Sequence, residues 1–429
     1  MGILIRGGRI LDAATNTDMT GDVYVEDGVI RKIGEHIEME ELADRVIDAA
    51  GCLVMPGIID LHVHLRDPGQ TDKEDIETGS QAAAHGGVTT VVAMPNTSPV
   101  IDNPDRVNYV HNKAAQVSGI HVLQAGAITK GENGTELADI WGMARAGIPA
   151  LSEDGKSVMN SHVYKDAMKI AAECGIPVFA HCEDIDLRGN GCMNEDKNAE
   201  RLRLPGICNS VEDVIAARDI LLAVETGARL HLCHCSTRGV AKMMKYVEEA
   251  GLGKQITAEV CPHHFTLTSD DIPRDDPNYK MNPPLRARED VDALIKGLKE
   301  GYIKVISTDH APHTAKDKTG SMRNTAFGIV GLETSLALTY TELVEKGILT
   351  PLQMVEKMCW NPAQILRLES GTLQEGHPAD VIVVNVEDEY AIDKNAFASK
   401  GKNTPFHGKK VKGKILYTIC DSKIAYENA

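Results

Sequence analysis

Short apolar runs alternate with helical patterns through most of this chain. Eight such runs fall between residues 54 and 365: Val54–His64, Thr89–Asn96, His121–Thr129, Ile148–Asp154, Pro177–Glu183, Arg229–Ser236, Gln255–Pro262 and Lys304–His310. Helical spacing of apolar residues separates most of them, over Asp72–His85, Ser161–Cys174, Val211–Glu225, Thr237–Ala250 and Glu289–Glu300. Runs that are apolar throughout, rather than at every second position, are buried on both faces, and helices between them imply parallel crossovers. Eight such units predict a (β/α)8 TIM-like barrel. A doubly wound open sheet is the alternative, although the chain has neither a G-x-G-x-x-G nor a P-loop to open one.

The two ends have a different pattern. Ile3–Leu11 is strand-like around Gly7-Gly8, and Val23–Val25 and Val29-Ile30 flank Asp27-Gly28, a two-residue hairpin turn. Ala379–Val386 is apolar, and Lys414–Tyr426 predicts a second hairpin at Asp421-Ser422. The expected division is a barrel over residues 54–365 and a small β-sandwich unit built from residues 1–53 and 366–429.

The polar residues fall where a barrel would use them. The first run ends in His62 and His64, the second in Asn96, and the fourth in Asp154. The fifth carries His181, the sixth His234 and the eighth Asp309. Strand C-termini converge on one face of a barrel, so these residues would meet. His62 and His64 are two apart, which on a strand points both to one side. Four imidazoles and two carboxylates suffice for two divalent ions, and suit zinc without requiring it. A lone histidine at a strand end is ordinarily just a satisfied side chain. His36, His85, His111, His121, His162, His231, His377 and His407 keep that reading. His263 and His264 could support the site or the fold. By alternation, Cys233 and Cys235 point away from His234 and are packing residues, and His310 points away from Asp309.

Charge narrows the partners. The 429 residues carry a formal net charge of -17, which argues against a nucleic-acid surface but not against an anionic small molecule held by a few local arginines. Nothing approaches a membrane span. The N-terminal residues do not resemble a signal peptide, and the 10 cysteines form no Cys-x-x-Cys pair. A cytoplasmic protein with reduced cysteines is expected.

Gly57-Ile58-Ile59-Asp60-Leu61-His62-Val63-His64-Leu65-Arg66 resembles the opening motif of the amidohydrolase superfamily, as does Glu375-Gly376 followed by Ala379-Asp380. A narrower resemblance runs through nearly the whole chain. His62 to Gly69, Ala93 to Thr97, Ser152-Glu153-Asp154-Gly155, His181-Cys182-Glu183, Tyr279 to Arg286 and Ser307 to His313 are similar to the motifs of type I dihydroorotases, the long bacterial form. Single motifs are shared in part with allantoinases and hydantoinases. The set with His64-x-Arg66 and Asn282-Pro283-Pro284-Leu285-Arg286 is more specific.

The resemblance implies a reversible cyclisation of N-carbamoyl-L-aspartate to dihydroorotate, in pyrimidine synthesis. It implies two zinc ions, one held by His62, His64 and Asp309 and the other by His181 and His234, bridged by Asp154 and a hydroxide. A carbamylated Lys156 or Lys165 is the alternative bridge. Asp309 would be the general acid and base. Arg66, beyond His64 on the same strand, would bind a substrate carboxylate. His64, Asn96, Asn282, His313, Phe327 and Gly328 would complete the substrate pocket. Another cyclic amidohydrolase, such as an allantoinase or dihydropyrimidinase, and an inactive scaffold partner of aspartate carbamoyltransferase are the competing readings. A homodimer and an association with that transferase are both left open.

Overall fold

The computed structural model describes residues 2–39 and 43–428. The chain opens with β1 (Ile3–Asp12), β2 (Thr17–Glu26), β3 (Val29–Gly34), β4 (Arg45–Asp48) and β5 (Leu53–Pro56). There follow β6 (Ile58–Val63), β7 (Val88–Ala93), β8 (His121–Gln124), β9 (Gly126–Ala127), β10 (Leu151–Ser152) and β11 (Val178–Ala180). A short parallel pair, β12 (Met193–Asn194) and β13 (Gly206–Ile207), precedes β14 (Leu230–Leu232), β15 (Ile256–Val260) and β16 (Val305–Ile306). The last strands are β17 (Val381–Asn385), β18 (Tyr390–Ala391), β19 (Lys410–Val411), β20 (Lys414–Cys420) and β21 (Lys423–Glu427).

The ends of the chain meet in one hydrogen-bonded sheet, ordered β21-β20-β17-β5-β1-β2-β3, with β4 also on β1. The expected β unit from the two termini is built on this one hydrogen-bonded sheet and has its own core, where Ile5, Ile10, Val23, Ile47, Val383 and Ile419 meet. β1 serves two parallel neighbours, β4 along Ile3–Arg6 and β5 at Arg9-Ile10. An irregularity between Ile5 and Gly8 separates these two stretches. Gly8 is needed there, because a Cβ would lie 2.4 Å from Val54 Cγ2. Both predicted hairpins form, around Asp27-Gly28 and Asp421-Ser422. Since β5 pairs with β1 and β17, this unit extends to Pro56 and not only to residue 53.

The eight internal runs form parallel staves: β6, β7, β8 with β9, β10, β11, β14, β15 and β16. The barrel closes where Val63 bridges His310 in parallel. Side chains complete that seam, with Asp60 Oδ1 accepting from Thr308 N at 3.2 Å. Ile59, Leu61, Val92, Phe179, Cys233 and Val305 fill the interior. Val63, Val91, Leu151, Leu230 and Val260 face the helices instead. Helices occur at Ile76–His85, Ser161–Cys174, Ser210–Thr226, Arg238–Glu249 and Arg288–Glu300, close to their predicted positions. Residues 72–75 are not helical as expected, because Asp75 is the cap and accepts from Thr78 N at 2.8 Å. No helix among the described residues is long and apolar enough to cross a membrane. The ten cysteines are all unpaired.

One part of the C-terminal segment leaves the sheet and joins the barrel. Ile392, Phe406 and Val411 pack with Met281, Leu285 and Ile329. Asn403, buried, donates to the carbonyls of Ala311 and Gly328 at 3.0 Å each and accepts from His313 N at 3.1 Å. Ser399 and the Lys400 amide bind the buried Glu74. The segment therefore braces the loops at the C-terminal mouth. We predict that Asn403→Ala, which orphans the buried Ala311 carbonyl and the His313 amide, lowers stability by about 2–4 kcal/mol in urea unfolding. An unchanged midpoint would show that these bonds do not hold the mouth together.

Candidate active site

A bulge shapes the first corner of the site. The β6–β7 register shifts between Asp60 and Val63. Leu61 faces the barrel interior and Val63 the helices, so the shift reverses the side-chain parity. His62 and His64 consequently turn into the mouth together, with ring centroids 5.4 Å apart. β6 ends at Val63, so His64 and Arg66 lie beyond the strand. Arg66 reaches the same cavity as His64 not by strand alternation but through a left-handed backbone (φ 59°). Asp309 (φ 50°) and His234 (φ 35°) share that unfavourable region. Strain of this kind persists where the surroundings over-determine it, typically at functional sites.

Asp154 sits at the centre. Its Oδ1 lies 3.3 Å from His62 Nε2, 3.4 Å from His181 Nδ1 and 3.7 Å from His234 Nε2. Its Oδ2 lies 3.4 Å from His64 Nε2. Asp309 Oδ1 is 3.1 Å from His64 Nε2 and 3.7 Å from His62 Nε2. Each of the six residues is buried.

Two of the rings have a hydrogen-bond partner on the nitrogen facing away from this centre, and a third, His62, faces a carboxylate there. His62 Nδ1 is 3.4 Å from Glu259 Oε1, His64 Nδ1 is 3.0 Å from Asn96 Oδ1, and His181 Nε2 is 3.2 Å from Glu183 Oε2. An N–H directed outward leaves a lone pair directed inward, as metal-binding imidazoles require. His181 Nδ1 and His234 Nε2 are only 2.9 Å apart. His62 Nε2 and Asp154 Oδ1 are buried without hydrogen-bond partners. Orphans of this kind cost about 1–3 kcal/mol each unless something satisfies them, and a cation would satisfy several together. The electrostatics agree. Burial opposes the charged form of His181, yet Asp154 and Glu183 push it up to about 10. Burial likewise opposes ionisation of Asp154, but the His62 charge and the other imidazoles hold its carboxyl well below the usual range. The centre draws positive charge to itself. Ring nitrogens and carboxylates from His62, His64 and Asp309, and from His62, Asp154 and His234, cluster closely enough to hold an ion.

A cavity of about 210 Å³ adjoins this centre. Its walls include His64, Arg66, Asn96, Asp154, His181, His234, Asn282, Asp309, His313, Phe327 and Gly328, so of the expected site residues only His62 lies behind them. Several of these walls are already engaged with protein groups. Asn96 also donates to Asp154 Oδ2 at 2.9 Å, Asn282 donates to Glu183 Oε1 at 2.9 Å, and His313 Nε2 donates to Phe327 O at 2.7 Å. Burial, together with the nearby Arg66 charge, lowers His313 to about 3. Arg66 is the exception. It is buried, donates through Nε to Pro312 O at 3.3 Å, and forms no ion pair among the described residues. Lys156 and Lys165 do not line the cavity; Lys165 pairs with Glu225 at 2.5 Å on the outside.

Some supporting residues have no counterpart in the sequence reading. Glu259 receives His231 Nε2 at 3.0 Å as well as facing His62, so His231 is not a bland core histidine. A carboxylate inside the apolar run Gln255–Pro262 was the available signal. Cys233 also differs from expectation. It faces the barrel interior, its sulfur within 4.8 Å of a His62 ring nitrogen and a Glu259 oxygen, because the chain leaves the strand path at His234. Cys235 packs toward the helices as expected. His264 Nε2 donates to Pro283 O at 3.0 Å, and burial lowers His263 to about 4, so both are neutral residues packed beside the site.

Comparison with known proteins is consistent with this geometry. Residues 51–240 match the Dihydro-orotase-like family model. The chain is 44% identical to a dihydroorotase of Acetivibrio thermocellus, covering 98% of each chain, and 44% identical to one of Clostridioides difficile, covering 99% of each. An L-hydantoinase (dihydropyrimidinase) of Arthrobacter aurescens shares the fold at TM-score 0.88 and 27% identity, over 99% of this chain and 96% of that one. A D-hydantoinase of Thermus sp. superposes at TM-score 0.84 with 25% identity, over 99% of this chain and 95% of that one. With such identity running the full length of both partners, this chain belongs to the dihydroorotase family of metal-dependent cyclic amidohydrolases.

Proposed function

We propose that the cavity catalyses the reversible closure of N-carbamoyl-L-aspartate to (S)-dihydroorotate, in de novo pyrimidine synthesis, with the residues described above in defined roles. The observation that carries this reading is Arg66. A buried guanidinium that forms no ion pair among the described residues faces the same small cavity as the ligand cluster. A substrate carboxylate would neutralise it, and a planar fork suits that group. A hydantoin or dihydrouracil ring, lacking a carboxylate, would leave the charge unpaired.

His62, His64, Asp154, His181, His234 and Asp309 would hold two zinc ions, with Asp154 between them. Such ions lower the pKa of a water molecule and polarise a carbonyl. Asp309 handles the proton. Burial opposes its ionised form, but the His64 hydrogen bond and the imidazole charges keep its carboxyl below the usual range, so it is ready to accept. In hydrolysis it takes a proton from the attacking water and passes it to the leaving ring nitrogen. In synthesis it takes the proton from the carbamoyl nitrogen and returns it to the departing hydroxyl. Asn96 keeps His64 and Asp154 in register, and His313 holds the Phe327–Gly328 backbone against the ring. Asn282 occupies the wall beside Glu183.

Parallel assays of dihydroorotate, allantoin, hydantoin and dihydrouracil, with metal content measured on the same sample, test the assignment. Turnover of dihydroorotate should dominate, and preference for an uncharged ring would defeat it. Asp309→Asn should lower kcat by about 10²–10⁴-fold while at least one metal ion stays bound; a near-normal rate removes Asp309 as the proton carrier. Arg66→Ala should raise KM for both substrates by about 10–100-fold, as expected for loss of a charged hydrogen bond, and unchanged KM values would refute the carboxylate clamp. Glu259→Gln should weaken metal retention in a chelator titration by about 10–100-fold with the fold intact. Retention equal to the parent protein would make Glu259 a packing residue.

A further inference from the structure

Arg66 is not the only cation near the site without a carboxylate. Lys280 is buried, and its ammonium donates to Thr325 O at 2.5 Å and lies 4.2 Å from the Phe327 ring centroid. The Lys318 ammonium donates to the carbonyls of Ala326 and Gly328, at 2.9 Å each, and of Lys280, at 3.1 Å. Among the described residues neither lysine forms an ion pair. Burial, reinforced by Lys280, lowers Lys318 to about 7. Backbone carbonyls satisfy the donors, and a nearby anion would favour the charged form of both lysines.

Lys280 lines one of two neighbouring spaces, and Lys318 binds the backbone of Ala326 and Gly328, which line the other. The latter is the catalytic cavity. The former is a cavity of about 460 Å³ lined by Arg188, Asn190, Lys280, Arg323, Asn324 and Phe327 among others, with no acidic side chain in its lining. Phe327 lines both. One lining cation is already paired, which leaves Lys280 and Arg323 as the lining cations without an ion pair among the described residues. Glu183 pairs with Arg188 at 2.8 Å, and Asp275 accepts from Ser321 Oγ at 2.6 Å and Met322 N at 2.7 Å. In a chain of net charge -17, an approaching anion is repelled over most of the surface. A concave patch lined by cations of one sign focuses the field and raises the local anion concentration.

We propose that this second cavity is a docking antechamber for small carboxylate anions, from which the substrate passes Phe327 into the catalytic cavity. This rests on the reading of the substrate as a carboxylate. Arg323 is exposed, and among the described residues its guanidinium hydrogen-bonds only to the Arg203 carbonyl, so it can be changed without touching the catalytic residues. The control is Lys254→Glu, an exposed charge change near the N-terminal end of β15, on the opposite face of the barrel.

The test is kcat/KM as a function of ionic strength, in both directions. At low salt Arg323→Gln should lose about 3-fold and Arg323→Glu about 10-fold, with kcat unchanged; near 0.5 M salt the losses should shrink below about 2-fold, as screening predicts. The fold-change must be the same for both substrates, because the equilibrium between them is fixed. Lys254→Glu should stay near the parent protein throughout. The antechamber is overturned if Arg323→Glu matches the parent or Lys254→Glu at low salt. It is equally overturned if its loss falls on kcat and survives high salt, since Arg323 would then only support its loop. Failure of the parent protein to turn over dihydroorotate would overturn the substrate reading and this inference together. Normal turnover with salt-insensitive Arg323 variants would overturn the antechamber alone.

Discussion

The mouth of this barrel is organised by one carboxylate among four imidazoles. Asp154 lies within 3.3–3.7 Å of nitrogens on His62, His64, His181 and His234. Five groups that would each prefer water are held together in a buried place, and hydrogen bonding alone leaves His62 Nε2 and Asp154 Oδ1 unsatisfied. Removing ionisable groups from water in this way is unfavourable unless they are paired or bind metal. The surrounding structure serves to keep the rings in place. Glu259, Asn96 and Glu183 fix their outer nitrogens, and His231 and Asn282 in turn hold two of those groups. Structures elsewhere in the chain, down to the segment carrying Asn403, brace the loops from which this cluster projects.

Much of this was legible in the sequence because strand ends in a closed parallel barrel converge whatever their separation along the chain. That rule needs no knowledge of side-chain direction, and it brought His62, Asp154, His181, His234 and Asp309 together. Direction was another matter. Strict alternation explains neither His62 facing the mouth next to an inward Leu61, nor Cys233 beside His62. The β6 bulge and the left-handed residues at Arg66, His234 and Asp309 change the parity at these places. Such departures concentrate where a site must aim side chains that a regular strand would send elsewhere. Positive φ at Arg, His or Asp has no composition signal, unlike positive φ at glycine, so it is invisible until the backbone is known.

The terminal sheet illustrates a different limit. Its hairpins were plain from Asp27-Gly28 and Asp421-Ser422, yet β5 and the path of residues 390–411 were not. Leu53–Pro56 is as apolar as the stave that follows it, and only pairing shows that the two belong to different sheets. Residues 390–411 contain little regular structure and are held by individual hydrogen bonds such as those of Asn403, which no periodicity reveals. Glu259 was missed for a related reason. A buried carboxylate in an apolar run looks like an imperfection until its partners, His62 and His231, are in view.

Fold and substrate are separable here. The hydantoinases superpose on this chain almost completely, so barrel, terminal sheet and overall shape do not distinguish one cyclic amide from another. Discrimination has to come from a group whose state differs between the alternatives. Within the cavity, Asn96, Asn282 and His313 spend polar atoms on protein partners. Among the described residues Arg66 forms no ion pair, and neither do Lys280 and Lys318 near Phe327. A buried cation without an ion pair is costly in the free enzyme, and an anionic ligand relieves that cost. The same charge that disfavours the empty pocket therefore penalises an uncharged ring, and it selects for the carboxylate without demanding any change in the catalytic centre.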